Sequence, residues 1–233
     1  MRARLASVRE LAPRTAHFEF ACDEWTGRFE PGQFVSLTQT IDGNKVTRAY
    51  SIASHPHASA AGGATLALCA NCVEGGRFTP FLFSLRPGDE IEFTGPWGGF
   101  TLRKPPSDSV FVAVGTGIAP FRPMLAAAVA AYPATQFTLI FGARHRQGLL
   151  YDAEFRALSA AHPNFTYQPA LTQPHAGWAG LTGRVQAHAI AAAGERRDID
   201  VYLCGMREMV DDLRAQLKAM GFDRKRVVYE RYD

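Results

Sequence analysis

Cysteine is scarce. Four thiols in 233 residues cannot frame a disulfide scaffold. A reduced, cytoplasmic setting is the expectation. Long apolar runs are missing too: none approaches the roughly 20 residues of a membrane-spanning helix. The N-terminal MRARLASVRELAPRT also lacks the apolar stretch of a secretory signal. No membrane is therefore expected among the partners. Charge of one sign is in short supply, with 25 Lys and Arg against 22 Asp and Glu, a net +3. That balance argues against a nucleic-acid binder, which needs a concentrated basic surface. It leaves room for a local basic patch facing an acidic partner.

Metal-ligand spacing is absent as well. His17, His55, His57, His145, His162, His175 and His188 form no H-E-x-x-H or kindred pattern. Cys69 and Cys72 make a CxxC, but on a strand positions i and i+3 point to opposite faces. No second CxxC completes a four-thiolate site, so no metal is expected. Neither a Gly-x-Ser-x-Gly elbow nor a P-loop lysine motif occurs, and no internal repeat is visible.

What is present is globular: 47% hydrophobic and 20% charged residues. At about 150 residues per domain the length fits one large or two modest domains. Residues 1–103 carry Gly, Pro, Thr and short alternating runs, with strands expected at 33–37, 65–69 and 90–94. This texture predicts a small antiparallel β-barrel. Residues 104–108, Lys-Pro-Pro-Ser-Asp, break the pattern and read as a linker. Over 109–233 strands are expected at 110–114, 137–141, 165–169, 199–204 and 226–229. Helices are expected at 121–131, 151–161, 184–193 and 206–220, with Gly221 as a C-cap. Such alternation predicts a doubly wound parallel sheet with helices on both faces.

Several motifs could carry chemistry. In Gly115-Thr116-Gly117-Ile118-Ala119-Pro120 an apolar strand runs into glycines and then a helix. Glycines allow a close backbone approach to a diphosphate, and a helix N-terminus attracts it; the bland alternative is a tight turn. Arg48-Ala49-Tyr50-Ser51 ends a strand on which Arg48 and Tyr50 share a face. An arginine can clamp phosphate while a tyrosine ring lies on a planar cofactor, or they are a surface Arg and a core Tyr. Gly75-Gly76-Arg77-Phe78-Thr79-Pro80 is a turn into a helix with Thr79 as candidate N-cap, able to hold a phosphate or merely to turn. Gly95-Pro96-Trp97-Gly98-Gly99-Phe100 either walls off a flat ligand or closes the barrel. Cys204-Gly205-Met206 ends a strand where ligands of such sheets bind, or is a buried inert thiol.

In this order RAYS, GGRFTP, GPWGGF, GTGIAP, CGM and the terminal YERYD resemble the ferredoxin–NADP(+) reductase family. The likeness is strongest to its small bacterial members and covers nearly the whole chain. It implies an FAD-binding β-barrel followed by an NADP-binding α/β domain, without an appended iron–sulfur module. By the same resemblance Arg48 holds the flavin pyrophosphate, Tyr50 stacks on the isoalloxazine, and Ser51 sits near flavin N5. Gly76 and Thr79 are similar to a second pyrophosphate contact, which favours FAD over FMN. Gly115, Thr116, Gly117 and Pro120 resemble the nicotinamide-nucleotide loop, Cys204 and Gly205 the pair beside the nicotinamide, and Glu230 the near-terminal acid of the catalytic set. Tyr232 has the offset of the ring that covers the flavin in plant-like members. Asp233 follows it, and stacking on flavin or displacement toward adenine both stay open.

Arg144 and Arg184 resemble arginines that meet the 2′-phosphate of NADP. Where the family pattern has Ser-Arg, this chain has Thr172-Gln173, one cation fewer, so NAD remains an alternative. The implied reaction is hydride transfer between nicotinamide and flavin, with Ser51, Cys204 and Glu230 as catalytic residues and a proton route from Ser51 to Glu230. Electrons then pass singly to an acidic carrier, a ferredoxin or flavodoxin, and a monomer is expected. The rivals are an NADH-dependent reductase serving an oxygenase, a cytochrome or free flavin, and a flavin-bound interaction subunit without turnover.

Overall fold

The computed structural model describes residues 1–56 and 63–232; His57 and Asp233 lie outside the described residues. The chain divides into two compact units: Met1–Thr101 with Ala119–Met124, and Leu102–Ile118 with Leu125–Asp233.

In the first unit β1 (Arg2–Ala12), β2 (Thr15–Cys22), β3 (Phe34–Ile41), β4 (Asn44–Ser51), β5 (Ala64–Asn71) and β6 (Glu90–Trp97) form one antiparallel sheet, ordered β4-β3-β6-β1-β2-β5. Period-two alternation is plain in β2. Ala16, Phe18, Phe20 and Cys22 enter the core, and His17 and Glu19 face the other way. Each large side chain buried there contributes on the order of 1.5–3 kcal/mol. Asp42 and Gly43, both at positive φ, make the two-residue turn between β3 and β4. Ile52 bridges Leu68, and the Ala53 N–H donates to the Ala67 carbonyl at 2.8 Å, so the chain leaving β4 closes the barrel on β5. One short helix, α1 (Phe78–Ser84), turns Phe78 and Leu82 into the core. Its N-cap is Arg77, without a side-chain cap, and not Thr79 as the sequence suggested. Thr79 lies in the first turn, its hydroxyl engaged elsewhere.

The second unit has β7 (Ser109–Val114), β8 (Phe137–Ala143), β9 (Phe165–Leu171), β10 (Leu181–Thr182), β11 (Asp200–Met206) and β12 (Val227–Tyr232), with helices α2 (Phe121–Ala131), α3 (Asp152–Ala161), α4 (Val185–Ala193) and α5 (Arg207–Ala219). All strand pairs are parallel and the order is β10-β9-β8-β7-β11-β12. On one face Val110, Val112, Val201 and Leu203 pack under α4 and α5, which offer Val185, Ala189, Val210, Leu213 and Leu217. On the other Phe111 stacks on Tyr202 at 4.8 Å, and Phe155 of α3 covers Phe165 and Tyr167. Order reverses between β7 and β11, so their carboxyl ends flank the crevice where such sheets bind ligands. At the opposite end of β11, buried Asp200 holds Arg103 and Arg226, each at 3.1 Å, and the Tyr202 hydroxyl accepts the Arg103 N–H. Among the described residues no helix is long and apolar enough to cross a membrane, and no cluster of His, Cys, Asp or Glu could hold a metal ion.

Candidate functional site

β4 delivers Arg48, Tyr50 and Ser51, opposite Leu37, Val35 and Phe34 of β3. Arg48 and Tyr50 share a face with Val46, and both neighbours pack against the barrel core. Arg48 itself is exposed. Its guanidinium donates to the adjacent Thr47 carbonyl at 2.8 Å and pairs with no carboxylate among the described residues. A cation so placed is available to an anion. The Tyr50 ring is half-buried against Phe78 at 6.0 Å, and its buried hydroxyl has no hydrogen-bond partner among the described residues. Burial pushes that phenol up to about 12, so it stays a neutral donor. A buried orphan donor is rare in a native fold and fits a ligand that supplies an acceptor. Ser51 is buried on the other face, in a cross-strand row with Phe34 and Trp97, and the Trp97 indole is more than half exposed.

The turn before α1 is built around Thr79. Its Oγ1 accepts the Val73 N–H at 2.9 Å, leaving its own hydrogen to donate outward. The Gly76 N–H donates to the Val73 carbonyl at 3.1 Å. A Cβ on Gly76 would fall 3.1 Å from that carbonyl oxygen and 3.3 Å from Thr79 Oγ1, so a side chain would crowd the cradle.

In the second unit α2 starts at Phe121, as the sequence suggested, and one 3-10 turn, Gly115–Ile118, intervenes between β7 and that helix. The N–H groups nearest the glycines are thus those of the turn. Gly115 is exposed at φ +55, Thr116 half-buried, Gly117 and Pro120 buried. A Cβ on Gly117 would lie 2.3 Å from the Cys204 carbonyl oxygen; one on Gly205, which has φ +140, would lie 2.9 Å from that of Val114. Backbone therefore rests on backbone across the switch point, and only glycine permits it. Cys204 is fully buried, with Glu230 beside it in register on β12. Burial, aided by the Glu230 charge, pushes the thiol well above its ordinary range. Cys204 is a protonated thiol at neutral pH and a poor nucleophile.

Arg144, Thr172, Gln173 and Arg184 come together at the carboxyl edge of β8 and β9. The Thr172 and Gln173 N–H groups donate to the Ala143 and Arg144 carbonyls at 3.0 and 2.9 Å. The Gly183 N–H donates to the Leu171 carbonyl at 2.8 Å, which brings in Arg184. Both arginines are exposed and pair with no carboxylate among the described residues. A cleft of about 640 Å³ is lined by His145, Arg146, Gln147 and His175. The two histidines set Nδ1 against the Gln173 and Ala176 carbonyls at 3.1 and 2.7 Å.

Residues 2–102 match an oxidoreductase FAD-binding domain, and residues 111–215 an oxidoreductase NAD-binding domain. Ferredoxin–NADP reductase B of Sorangium cellulosum is 38% identical over 99% of this chain and 97% of its own length. The chain belongs to the ferredoxin–NADP reductase family. It is an FAD-dependent NAD(P)H oxidoreductase. The reductase component of a Pseudomonas phenol 2-monooxygenase is 35% identical over 78% of this reductase and 52% of that protein. The crystal structure of an Amycolatopsis cytochrome P450 reductase superposes with a TM-score of 0.87 at 26% identity, covering 99% of this chain and 69% of that one. A ferredoxin–NADP+ reductase from Neisseria gonorrhoeae shares the fold, with a TM-score of 0.81 at 23% identity over 99% and 98% of the two chains.

Three features of the reductase escaped the sequence reading. The histidine-lined cleft had a signal in Arg144-His145-Arg146, a basic run directly after a strand. The Val73 contact to Thr79 had none, because a hydroxyl six residues ahead looks like a helix cap. The orphan Tyr50 hydroxyl was likewise invisible, since only the packed fold shows what surrounds it.

Proposed function

We propose that this reductase transfers hydride between NADPH and FAD and exchanges electrons singly with an acidic carrier, a ferredoxin or flavodoxin. The observation that carries the coenzyme choice is a pair of exposed arginines on one sheet edge, Arg144 and Arg184, which pair with no carboxylate among the described residues. A ribose 2′-phosphate is the ligand such a pair suits.

When bound, FAD supplies both the hydride and the one-electron chemistry. The chain's residues bind and orient. Arg48 neutralises the flavin diphosphate, Gly76 and Thr79 give it a second cradle, and Tyr50 presents its ring and the orphan hydroxyl. Ser51 holds a hydroxyl for the N5 side. Gly115, Thr116, Gly117 and Pro120 shape the nicotinamide-nucleotide loop. Cys204 and Gly205 form its floor, and the protonated thiol offers a neutral surface to the nicotinamide. Glu230 supplies charge beside it, and Thr172 adds a hydroxyl to the 2′-phosphate set. The functional division 1–103, 104–108 and 109–233 and a cytoplasmic, monomeric protein belong to the same proposal.

Gln173 beside Arg144 favours a second reading, an NADH-dependent reductase of the kind that serves oxygenases. Anaerobic stopped-flow reduction with NADPH and with NADH, read at the flavin band, separates the two. Faster reduction by NADPH supports the proposal; faster reduction by NADH selects the rival. Chromatography of the heat-released cofactor should return FAD. A protein that bleaches with neither coenzyme would be the non-catalytic subunit.

A further inference from the structure

The cleft at the carboxyl edge of β8 and β9 carries two histidines that the proposed reaction leaves without a task. Two segments meet there, residues 144–150 beyond β8 and 172–184 beyond β9. Together they hold Arg144, Arg146 and Arg184, His145 and His175, and no acid, so their charge of +3 equals the formal excess of the whole chain. Gln173 clasps the two segments. Its N–H donates to the Arg144 carbonyl at 2.9 Å, and its carbonyl accepts from His145 Nδ1 at 3.1 Å. Beside this clasp lies the cleft of about 640 Å³, with both histidines in its wall. The Trp178 N–H donates to the His175 carbonyl at 3.2 Å, and the His175 ring meets the Trp178 indole edge-on, centroids 6.3 Å apart. His175 Nδ1 lies 2.7 Å from the Ala176 carbonyl. A carbonyl can only accept, so Nδ1 carries the hydrogen in both rings. Nε2 is then an acceptor in the neutral ring and becomes a donor only when a proton is added.

We infer that His145 and His175 are specificity-determining residues for the coenzyme, meeting its 2′-phosphate as imidazoliums, so that binding of NADP(H) takes up protons. This rests on the reading of Arg144 and Arg184 as the 2′-phosphate set. A neutral Nε2 turns a lone pair toward an anion and opposes it, whereas a protonated one donates a charge-assisted hydrogen bond. A phosphate dianion in the cleft favours the charged ring, and histidine is the side chain whose charge ordinarily changes between pH 5 and 8. NAD(H) brings no such dianion, so protonation does little for it. The two imidazoles thus replace the cation that Gln173 lacks, and they do so more fully as pH falls. The other charged groups of this edge are Arg144 and Arg146 in the first segment, with Arg184 and His188 at the start of α4. His188 sets Nε2 against the Thr182 carbonyl at 2.8 Å. α3, which follows the first segment, opens with Asp152, bound to Arg156 at 2.8 Å, and Glu154. The arginines attract the phosphate at every pH, and the histidines add the part that varies.

The test uses the oxidised, FAD-loaded protein with NADP+ and NAD+, so nothing turns over. Titration calorimetry in two buffers of different protonation enthalpy counts the protons exchanged on binding. Near about pH 7.5 NADP+ should bind with net proton uptake and NAD+ with none. The phosphate's own ionisation has the opposite sign: its second pKa is about 6, and a cationic site drives the proton off, which reads as release. From about pH 6.5 to 8.5 NADP+ affinity should fall about three- to tenfold, a factor held down by salt screening of an exposed site, while NAD+ affinity stays within about twofold. The double variant His145→Gln, His175→Gln should abolish the uptake and flatten the profile; both side chains are exposed, so the fold does not hang on them. His188→Gln should keep both effects. Uptake that survives the double variant overturns the inference, and so does net release or no exchange in the wild type. In those cases tighter binding of NADP+ than of NAD+ leaves the arginine reading standing and removes only the histidines. NADP+ bound no more tightly than NAD+ at any pH shows that the 2′-phosphate reading itself failed, and the histidine role falls with it.

Discussion

Gly117→Ala concentrates its effect at one place. The added Cβ would meet the Cys204 carbonyl oxygen at 2.3 Å, its carbonyl carbon at 2.5 Å and the Gly205 Cα at 2.7 Å. All three are backbone atoms, so no rotamer change relieves the clash. Moving the closest contact from 2.3 to 3.0 Å opens the gap between the Gly115–Ile118 turn and β11 by about 0.7 Å. Overpacking of this kind costs roughly 1–3 kcal/mol, or a fall in Tm of roughly 3–10 °C. The functional loss should be larger. A displacement near 1 Å at a reacting site costs on the order of 100-fold, so flavin reduction by NADPH should slow about 10- to 100-fold. FAD content should not change, because Arg48, Tyr50 and the Gly76–Thr79 turn are untouched. Stopped-flow reduction, a melting curve and the flavin-to-protein absorbance ratio together read this out. Gly115→Ala is the control for stability: its Cβ meets nothing within 4 Å at φ +55, leaving only backbone strain of about 1–2 kcal/mol. A Gly117→Ala protein that reduces at the wild-type rate would refute the idea that the contact with Cys204 sets the nicotinamide floor.

Arg48→Ala should weaken FAD retention by roughly 10- to 150-fold, the cost of one charge-assisted hydrogen bond; unchanged flavin affinity removes Arg48 from the clamp. Arg144→Ala and Arg184→Ala should each lower kcat/KM for NADPH by a comparable factor and spare NADH, whereas Gln173→Arg should raise the NADPH-to-NADH ratio by a smaller factor because salt screens an exposed site. Equal losses with both coenzymes would place the arginines on shared parts of the nucleotide. His17 is buried, and burial first, then the Arg122 charge, hold it below its usual value. The unfolded chain therefore takes up a proton that the native one refuses, so this contribution to stability is full above about pH 6.5 and lost as pH falls below it. His17→Gln should flatten the decline of Tm below that pH; equal declines in both proteins would sink the assignment.

Legibility followed locality. The glycine-rich turns could be read because φ > 0 and close backbone approach are demands on single residues. Asp42-Gly43 carried an equally local hairpin signal that went unused, and β2 had plain alternation in Phe18-Glu19-Phe20. β1 was harder, since Arg2, Arg4, Arg9 and Glu10 crowd it with charge and only Ala3 and Leu5 enter the core. What no local rule could supply were contacts made by topology. Gly117 and Cys204 meet because strand order reverses between β7 and β11. Glu230 comes to lie beside Cys204 because β12 pairs in parallel register with β11. Thr79 looked like a cap because the Val73 N–H that claims it, in the turn after β5, is only visible in the fold.

The fastening of Arg103 to β11 bears on how chains of this kind can be recombined. Lys104-Pro105-Pro106 looks like the natural seam for exchanging one half for another. Yet a graft that began at Ser109 would leave Arg103 behind and strip Asp200, 1% exposed, of one of the two cations it holds among the described residues. Breaking a buried pair in this way costs about 3–5 kcal/mol, less whatever Arg226 can still offset. The Tyr202 hydroxyl would lose the Arg103 N–H in the same cut. A crossover between Thr101 and Leu102 keeps all of these contacts in one piece. The interchangeable part is thus slightly longer than its punctuation suggests, and its first residues act as the base plate of the strand that carries Cys204.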